Sequence, residues 1–204
     1  ATPAPTRPVV KKTGPLQLVV VGVSTGGPAA LAAMLPSLPE TLRVPVVIVQ
    51  HMPPVFTTML AERLNGLSKI QVSEAADGER ALPGHAYIAP GGLHLAVMRD
   101  ALGFQFALNE DPPENSCRPA VDVLFRTAAT ATDGHLLGVV LTGMGSDGLI
   151  GARAITQAGG EVLAQDEATS VVWGMPGYVV REKLAQARPL DDIGRAIAAK
   201  VHVS

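Results

Sequence analysis

The residues LQLVVVGVSTGGP, at positions 16–28, carry the clearest signal of the fold. They join an apolar run over Leu16–Gly22 to a glycine-rich turn and then to Pro28. Proline is favoured in the first turn of a helix, because the N–H that it lacks has no partner there. The stretch therefore predicts a strand, a tight turn and a helix over Pro28–Leu35. A continuous apolar strand is typical of a parallel sheet covered on both faces.

The same order of strand and helix continues along the chain. A strand is predicted at Pro45–Gln50 and a helix at Pro54–Leu64, which gives a β-α-β-α opening with right-handed crossovers. Later elements alternate in the same way: a helix at Pro119–Ala131, a strand at Leu136–Thr142, a helix at Ser146–Ala158, a strand at Glu161–Gln165 and a helix from Asp191 to Val201. The predicted fold class is α/β, with a doubly wound, mostly parallel sheet flanked by helices.

The segment over residues 69–108 does not follow this alternation of strands and helices. Short apolar runs are separated there by turn sequences such as Asp77-Gly78 and Pro83-Gly84. We expect an excursion of antiparallel hairpins, which forms an edge or a flap.

Composition and length suggest one folded domain after a linker. The first fifteen residues carry four prolines and no apolar period, which is typical of an extended linker. We predict a linker remnant at residues 1–15 and a single domain at residues 16–204. The start at Ala1 also suggests a chain cut from something longer.

The net charge, the length of the apolar runs and the cysteine count exclude several classes of protein. A net charge of -2, without a basic stripe, argues against nucleic-acid binding. The apolar runs are far shorter than the ~20 residues of a membrane span, and no signal peptide is recognisable. The lone Cys117 excludes an intrachain disulfide and a cysteine-cage zinc site, which favours the reducing cytoplasm.

The turn at Gly22–Gly26 carries the first candidate for chemistry. Its sequence matches G-x-S-x-G between a strand and a helix, a context in which a tight turn exposes a serine hydroxyl. Ser24 is therefore a candidate nucleophile. The alternative is a turn that holds a phosphate, although no Lys or Arg lies within the loop and the spacing of nucleotide-binding motifs is absent.

Two further residues follow strands in the same way. The carboxyl ends of neighbouring parallel strands lie side by side, so His51, directly after the second strand, can meet Ser24 and act as its base. Asp147 lies in the turn TGMGSDG, residues 142–148, and is the best candidate to hold the imidazole tautomer. The alternatives are a capping or core histidine and an ordinary acid at a helix N-terminus.

Taken together, the motifs resemble the catalytic domain of CheB-type protein-glutamate methylesterases of bacterial chemotaxis, over about residues 16–197. The order serine, histidine, aspartate differs from that of α/β-hydrolases. The resemblance is carried by five motifs in order: VVVGVSTGGP at 19–28, VQHMP at 49–53, AYIAPGG at 86–92, RPAVDVLF at 118–125 and LTGMGSDG at 141–148.

The resemblance implies a serine hydrolase that cleaves glutamate γ-methyl esters of chemoreceptors, releases methanol and is also able to deamidate glutamines. It implies Ser24 as nucleophile, His51 as general base, Asp147 as orienting acid, and an oxyanion site near Thr25 and Met144. No metal or cofactor is required. The implied partners are the cytoplasmic helices of methylated receptors and an N-terminal receiver domain that covers the cleft until it is phosphorylated.

One position departs from the family pattern, and two other functions stay open. A histidine is more usual before R-P-[SA]-V-D, where this chain has Cys117. An interpretation with Cys117 as nucleophile is weakened by the lack of any implied basic partner except Arg118. The alternatives to the methylesterase are a non-enzymatic anion-binding module and an esterase acting on small substrates.

Overall fold

The computed structural model describes residues 14–202, so most of the predicted linker lies outside the described residues. The strands are β1 (Leu18–Val23), β2 (Val46–Gln50), β3 (Gln71–Glu74), β4 (His85–Ile88), β5 (His94–Asp100), β6 (Gly103–Asn109), β7 (Leu136–Val140), β8 (Glu161–Gln165) and β9 (Gln186–Arg188). The α-helices are α1 (Gly27–Met34), α2 (Phe56–Asn65), α3 (Val121–Ala131), α4 (Leu149–Gln157), α5 (Met175–Arg181) and α6 (Leu190–His202).

Seven strands form one parallel sheet in the order β3-β4-β2-β1-β7-β8-β9. The chain winds outward from β1 in both directions, first through β2 and later through β7. In open α/β sheets of this kind, ligands bind at the carboxyl ends of the strands where the winding reverses. Strands β2, β1 and β7 meet at that point.

Two hydrophobic cores cover the two faces of the sheet. Alternate residues of β1 show the division, because Val19 and Val21 face one core while Leu18 and Val20 face the other. Helices α1, α2 and α6 pack on the first face, and α3, α4 and α5 pack on the second. All six residues of β1 are buried, as expected for a strand covered on both sides.

The structure confirms the α/β fold class and most of the predicted elements. The antiparallel excursion is confirmed for β5 and β6, which pair along their whole length. For β3 and β4 the prediction of hairpins is wrong, because both strands join the main sheet in parallel. Turn sequences such as Asp77-Gly78 mark where strands end, but they do not fix the direction in which the next strand pairs.

Two elements near the end of the chain were not predicted. Helix α5 starts at Met175, and β9 adds a short edge strand. Within residues 14–202, no helix is both long enough and apolar enough to cross a bilayer.

Candidate active site

The turn after β1 holds Ser24 at the carboxyl edge of the sheet. The Ser24 amide donates to the Thr142 carbonyl at 3.0 Å, and the Gly27 amide donates to the Ser24 carbonyl at 2.8 Å. Gly26 has φ +82°, a conformation that favours glycine. The turn is therefore fixed both internally and to the loop that follows β7, while the Ser24 side chain stays only half-buried.

Gly143 allows the two loops to approach each other closely. A Cβ atom at Gly143 would lie 2.4 Å from the Met175 sulfur and 2.8 Å from the Ser24 Cβ. The Gly143 carbonyl accepts hydrogen bonds from the amides of Gly174 and Met175, at 3.1 and 2.9 Å. The segment before α5 thus holds the loop after β7 against the serine, which is a role that the sequence did not reveal.

His51 is held beside the same turn by its backbone and by its neighbour Gln50. The His51 amide donates to the Val23 carbonyl at 3.1 Å. The buried Gln50 amide group donates to the carbonyls of Ser24 and His51, both at 3.0 Å. The ends of β1 and β2 are therefore tied together, as the positions of the two residues after neighbouring strands predicted.

The imidazole of His51 is paired with Asp147. His51 Nε2 lies 2.7 Å from Asp147 Oδ2, and the two side chains are 13% and 2% exposed. The Asp147 carboxylate has five donors around it: His51 Nε2, the amides of Val121, Asp122 and Gly148, and the Asn115 side chain, at 2.7 to 3.1 Å. A carboxylate surrounded in this way accepts the Nε2–H and fixes the tautomer of the ring.

The same contacts govern the acidity of Asp147. Burial raises the pKa of the carboxyl, but the hydrogen bonds from His51 and from the amides of Val121 and Asp122 outweigh it, and the pKa lies below its ordinary value. Asp147 is therefore an anion at neutral pH although it is almost fully buried.

The second ring nitrogen of His51 faces a residue other than the serine. His51 Nδ1 lies 3.6 Å from Cys117 Sγ, within range of a weak S–H···N hydrogen bond. Within residues 14–202, Ser24 Oγ forms no hydrogen bond. The thiol, and not the serine hydroxyl, is therefore hydrogen-bonded to the basic nitrogen. The expectation that Arg118 would be the only basic neighbour of Cys117 is wrong.

A two-residue turn places both Cys117 and Asn115 in the site. Glu114 and Cys117 exchange backbone hydrogen bonds at 3.1 and 2.8 Å, and the two residues between them have positive φ, 51° at Asn115 and 61° at Ser116. This is the geometry of a type I′ hairpin turn. The turn places the Cys117 thiol beside His51 and the Asn115 side-chain amide beside Asp147.

Asn115 and Asp122 were not singled out from the sequence. Asn115 Nδ2 donates to Asp122 Oδ2 at 3.0 Å and to Asp147 Oδ1 at 3.1 Å, so it bridges two buried carboxylates. Burial is the main cause that raises the pKa of Asp122, with a further contribution from the charge of Asp147. Asp122 lies in the RPAVDVLF motif, which was the one signal available in the sequence.

The predicted oxyanion groups lie on the two loops that meet at the serine. Thr25 and Met144 are exposed, and within the described chain neither backbone amide donates a hydrogen bond. The Thr25 carbonyl is fixed by the Thr142 hydroxyl at 2.9 Å. Two backbone N–H groups without an acceptor among residues 14–202 therefore lie on the loops that flank Ser24.

Fold and site together define a class: a doubly wound α/β protein with a histidine–aspartate pair beside a serine turn, at the carboxyl edge where the winding of the sheet reverses. The sequence model of the CheB methylesterase family matches residues 19–197, and the chain belongs to that family.

Similar proteins agree with this assignment. A protein-glutamate methylesterase/protein-glutamine glutaminase of Trichodesmium erythraeum is 53% identical over 187 residues, which cover 91% of this chain and 53% of that protein. One from Maricaulis maris is 48% identical over 201 residues, covering 98% of this chain and 50% of that protein. The chain thus spans about half the length of the curated relatives that it matches.

A solved structure supports the same fold. The crystal structure of the Thermotoga maritima CheB methylesterase catalytic domain is 42% identical in sequence and superimposes with a TM-score of 0.88. The match covers 90% of this chain and 97% of that domain.

Proposed function

We propose that this chain hydrolyses γ-methyl esters of glutamate side chains in chemoreceptors, with Ser24 as nucleophile, His51 as general base and Asp147 as orienting acid. The observation that carries the proposal is the bond of 2.7 Å between His51 and Asp147, formed beside the Ser24 turn. Because Asp147 accepts the Nε2–H, the Nδ1 atom keeps a lone pair for the serine proton. The names of the relatives support the choice of substrate.

The reaction proceeds by two acyl transfers. Ser24 Oγ turns towards His51 Nδ1, displaces the Cys117 thiol, and attacks the ester carbon while its proton passes to Nδ1. The oxyanion is stabilised by the amides of Thr25 and Met144, where one such donor typically contributes about 10²- to 10³-fold in rate. Methanol leaves with the proton from Nδ1. Water then gives a proton to Nδ1 and attacks the acyl-enzyme, which releases the glutamate and restores Ser24.

The surroundings of the serine favour a macromolecular substrate over a small ester. Met144 is 74% exposed and Val171 is 68% exposed. A Cβ atom on Gly26 would lie 2.7 Å from Val171, so this side chain borders the Ser24 turn directly. An open apolar rim suits a helix surface that carries the ester. An enzyme for small esters would need an enclosed pocket.

Ser24→Ala tests the proposal. We expect the variant to lose methanol release from radiomethylated receptor membranes and to keep the unfolding free energy of the wild type, because the half-buried Oγ has no partner to lose. Ser37→Ala is the control for activity, because Ser37 lies beyond α1 and away from the carboxyl edge. Methanol release by Ser24→Ala at the rate of the control would rule out Ser24 as the nucleophile. A wild type that releases no methanol would rule out the proposed hydrolysis of methyl esters.

Deamidation of receptor glutamines is a second activity of the same site, favoured by the double name of the relatives. The same acyl-enzyme would form with ammonia as leaving group. Ammonia release from unmodified receptor, lost in Ser24→Ala, would support it, and release that survives in the variant would contradict it.

The partners of the full-length protein belong to the same proposal. A receiver domain before the linker would cover the cleft, since tethering gives even a weak interface a high effective concentration. The 204-residue chain is then expected to release methanol without a phosphodonor. If the unphosphorylated full-length protein matches its rate, this form of inhibition is excluded. A cytoplasmic location is also proposed, from the single cysteine.

A further inference from the structure

The contact between Cys117 and His51 has the dimensions of a metal site. Cys117 Sγ and His51 Nδ1 lie 3.6 Å apart. A tetrahedral zinc ion at about 2.3 Å from a thiolate and about 2.0 to 2.1 Å from an imidazole nitrogen separates these two atoms by about 3.5 to 3.6 Å. The separation of the two atoms therefore fits a zinc ion bound by both.

The tautomer of His51 is also the one that a metal requires. The Nε2–H is donated to Asp147 at 2.7 Å, which leaves a lone pair on Nδ1, the nitrogen that contacts the thiol. Metal-binding histidines commonly donate their other N–H to a carboxylate, which orients the ring and increases its basicity. Asp147 supplies this outer contact.

Asp147 is a supporting residue and not a third ligand. A carboxylate oxygen of Asp147 lies within 4.8 Å of the other two ligand atoms. However, both oxygens already accept hydrogen bonds, five in all, from His51, Val121, Asp122, Gly148 and Asn115. Binding a cation would leave buried amides without an acceptor, which is unfavourable. The site therefore offers two protein ligands, and water fills the remaining positions.

A cation can reach the pair from solvent. His51 and Cys117 line an open cleft of about 350 Å³ together with Met52, Pro53 and Arg118. The Arg118 guanidinium is turned to the carbonyls of Glu110 and Asp111, to which it donates at 2.8 and 3.2 Å. These bonds direct one nitrogen of the guanidinium to backbone carbonyls.

We propose that Cys117 and His51 bind Zn²⁺, or a similar soft divalent cation, and that the bound ion reversibly blocks ester hydrolysis. Hydrated Zn²⁺ exchanges two waters for Sγ and Nδ1, and the thiol proton is released to solvent. The ion then occupies the lone pair that would accept the Ser24 proton. The block rests on the proposed function, whereas the binding of the ion does not.

Two measurements on the 204-residue chain test the site separately. Titration with Co²⁺ reports binding through the thiolate-to-cobalt charge-transfer band, and methanol release with and without Zn²⁺ reports the block. We expect the band in the wild type and in Ser116→Gly, a control in the same cleft whose positive φ suits glycine. In Cys117→Ala we expect no band, and we expect its rate of methanol release to be the same with Zn²⁺ as without it. Asp147→Asn should weaken cobalt binding by about 10- to 100-fold.

The possible results test the metal site and the block of ester hydrolysis separately. A wild type without the cobalt band, or a Cys117→Ala variant as sensitive to Zn²⁺ as the wild type, overturns the metal site. Inhibition that EDTA does not reverse overturns the reversible block. A chain that binds Co²⁺ through Cys117 but never releases methanol refutes the proposed function and leaves the metal site intact.

Discussion

Replacement of Asp147 by asparagine changes one atom and discriminates sharply between an orienting acid and an ordinary helix-terminal acid. In the wild type, Oδ2 accepts from His51 Nε2 and the Val121 amide, while Oδ1 accepts from three donors, Asn115 Nδ2 and the amides of Asp122 and Gly148. The new NH₂ group would face two donors at the Oδ2 position but three at the Oδ1 position, so the Oδ2 position is the less unfavourable one. The asparagine side chain of the variant is therefore expected to point its NH₂ group at His51.

The loss of rate and the loss of unfolding free energy both follow from this orientation. The imidazole must present a lone pair at Nε2 and carry its proton on Nδ1, which is the wrong tautomer for accepting the Ser24 proton. The corresponding change in a serine protease lowers kcat by about 10⁴-fold, and we expect a loss of the same order. The Val121 amide also loses its acceptor, which costs about 1 to 3 kcal/mol of unfolding free energy.

Initial methanol release and urea denaturation measure the two effects in the same preparation. Asp191→Asn, the same change at an exposed position in the first turn of α6, is the control and should match the wild type in both assays. An Asp147→Asn rate within about tenfold of the wild type would refute the proposed role, because a wrong tautomer cannot support proton transfer at Nδ1.

Four further outcomes are expected. Asn115→Ala should lower kcat more than it changes KM, because Asp147 loses a donor; an unchanged kcat would contradict this. Gly143→Ala should abolish methanol release and cost about 1 to 3 kcal/mol in urea denaturation, because the new Cβ overlaps Met175 and Ser24; wild-type values would argue against the close approach. Burial raises the pKa of Cys117, so alkylation by iodoacetamide should have its midpoint at a higher pH than for a free thiol; a lower midpoint would indicate a stabilised thiolate. The lowered pKa of Asp147 means that its stabilising contribution, present at neutral pH, is lost as the pH falls below about 4; urea denaturation should show a shallower loss in Asp147→Asn, and equal slopes would refute the assignment.

The sequence alone was enough to predict the central strands of the sheet and the location of the candidate site. The apolar stretch before Ser24 and the one before His51 were each long enough for one buried strand, and the polar residue after each fell at a carboxyl end. Parallel strands place their carboxyl ends at one edge of the sheet, whatever the length and conformation of the loops. Ser24, His51 and Asp147 therefore lie at the same edge for a topological reason. The match of residues 19–197 to the family agrees with the resemblance seen in the five motifs.

The contacts within the site could be found only from the folded structure. The pairing of His51 Nδ1 with Cys117 depends on the type I′ turn at residues 115 and 116, where Asn and Ser adopt a conformation that their identities permit but do not impose. The bridge from Asn115 to two carboxylates depends on the same turn. Likewise, β3 and β4 pair in parallel although their turn sequences suggested hairpins. Strand direction and side-chain contacts are set by packing between segments distant in sequence, and local patterns carry little information about them.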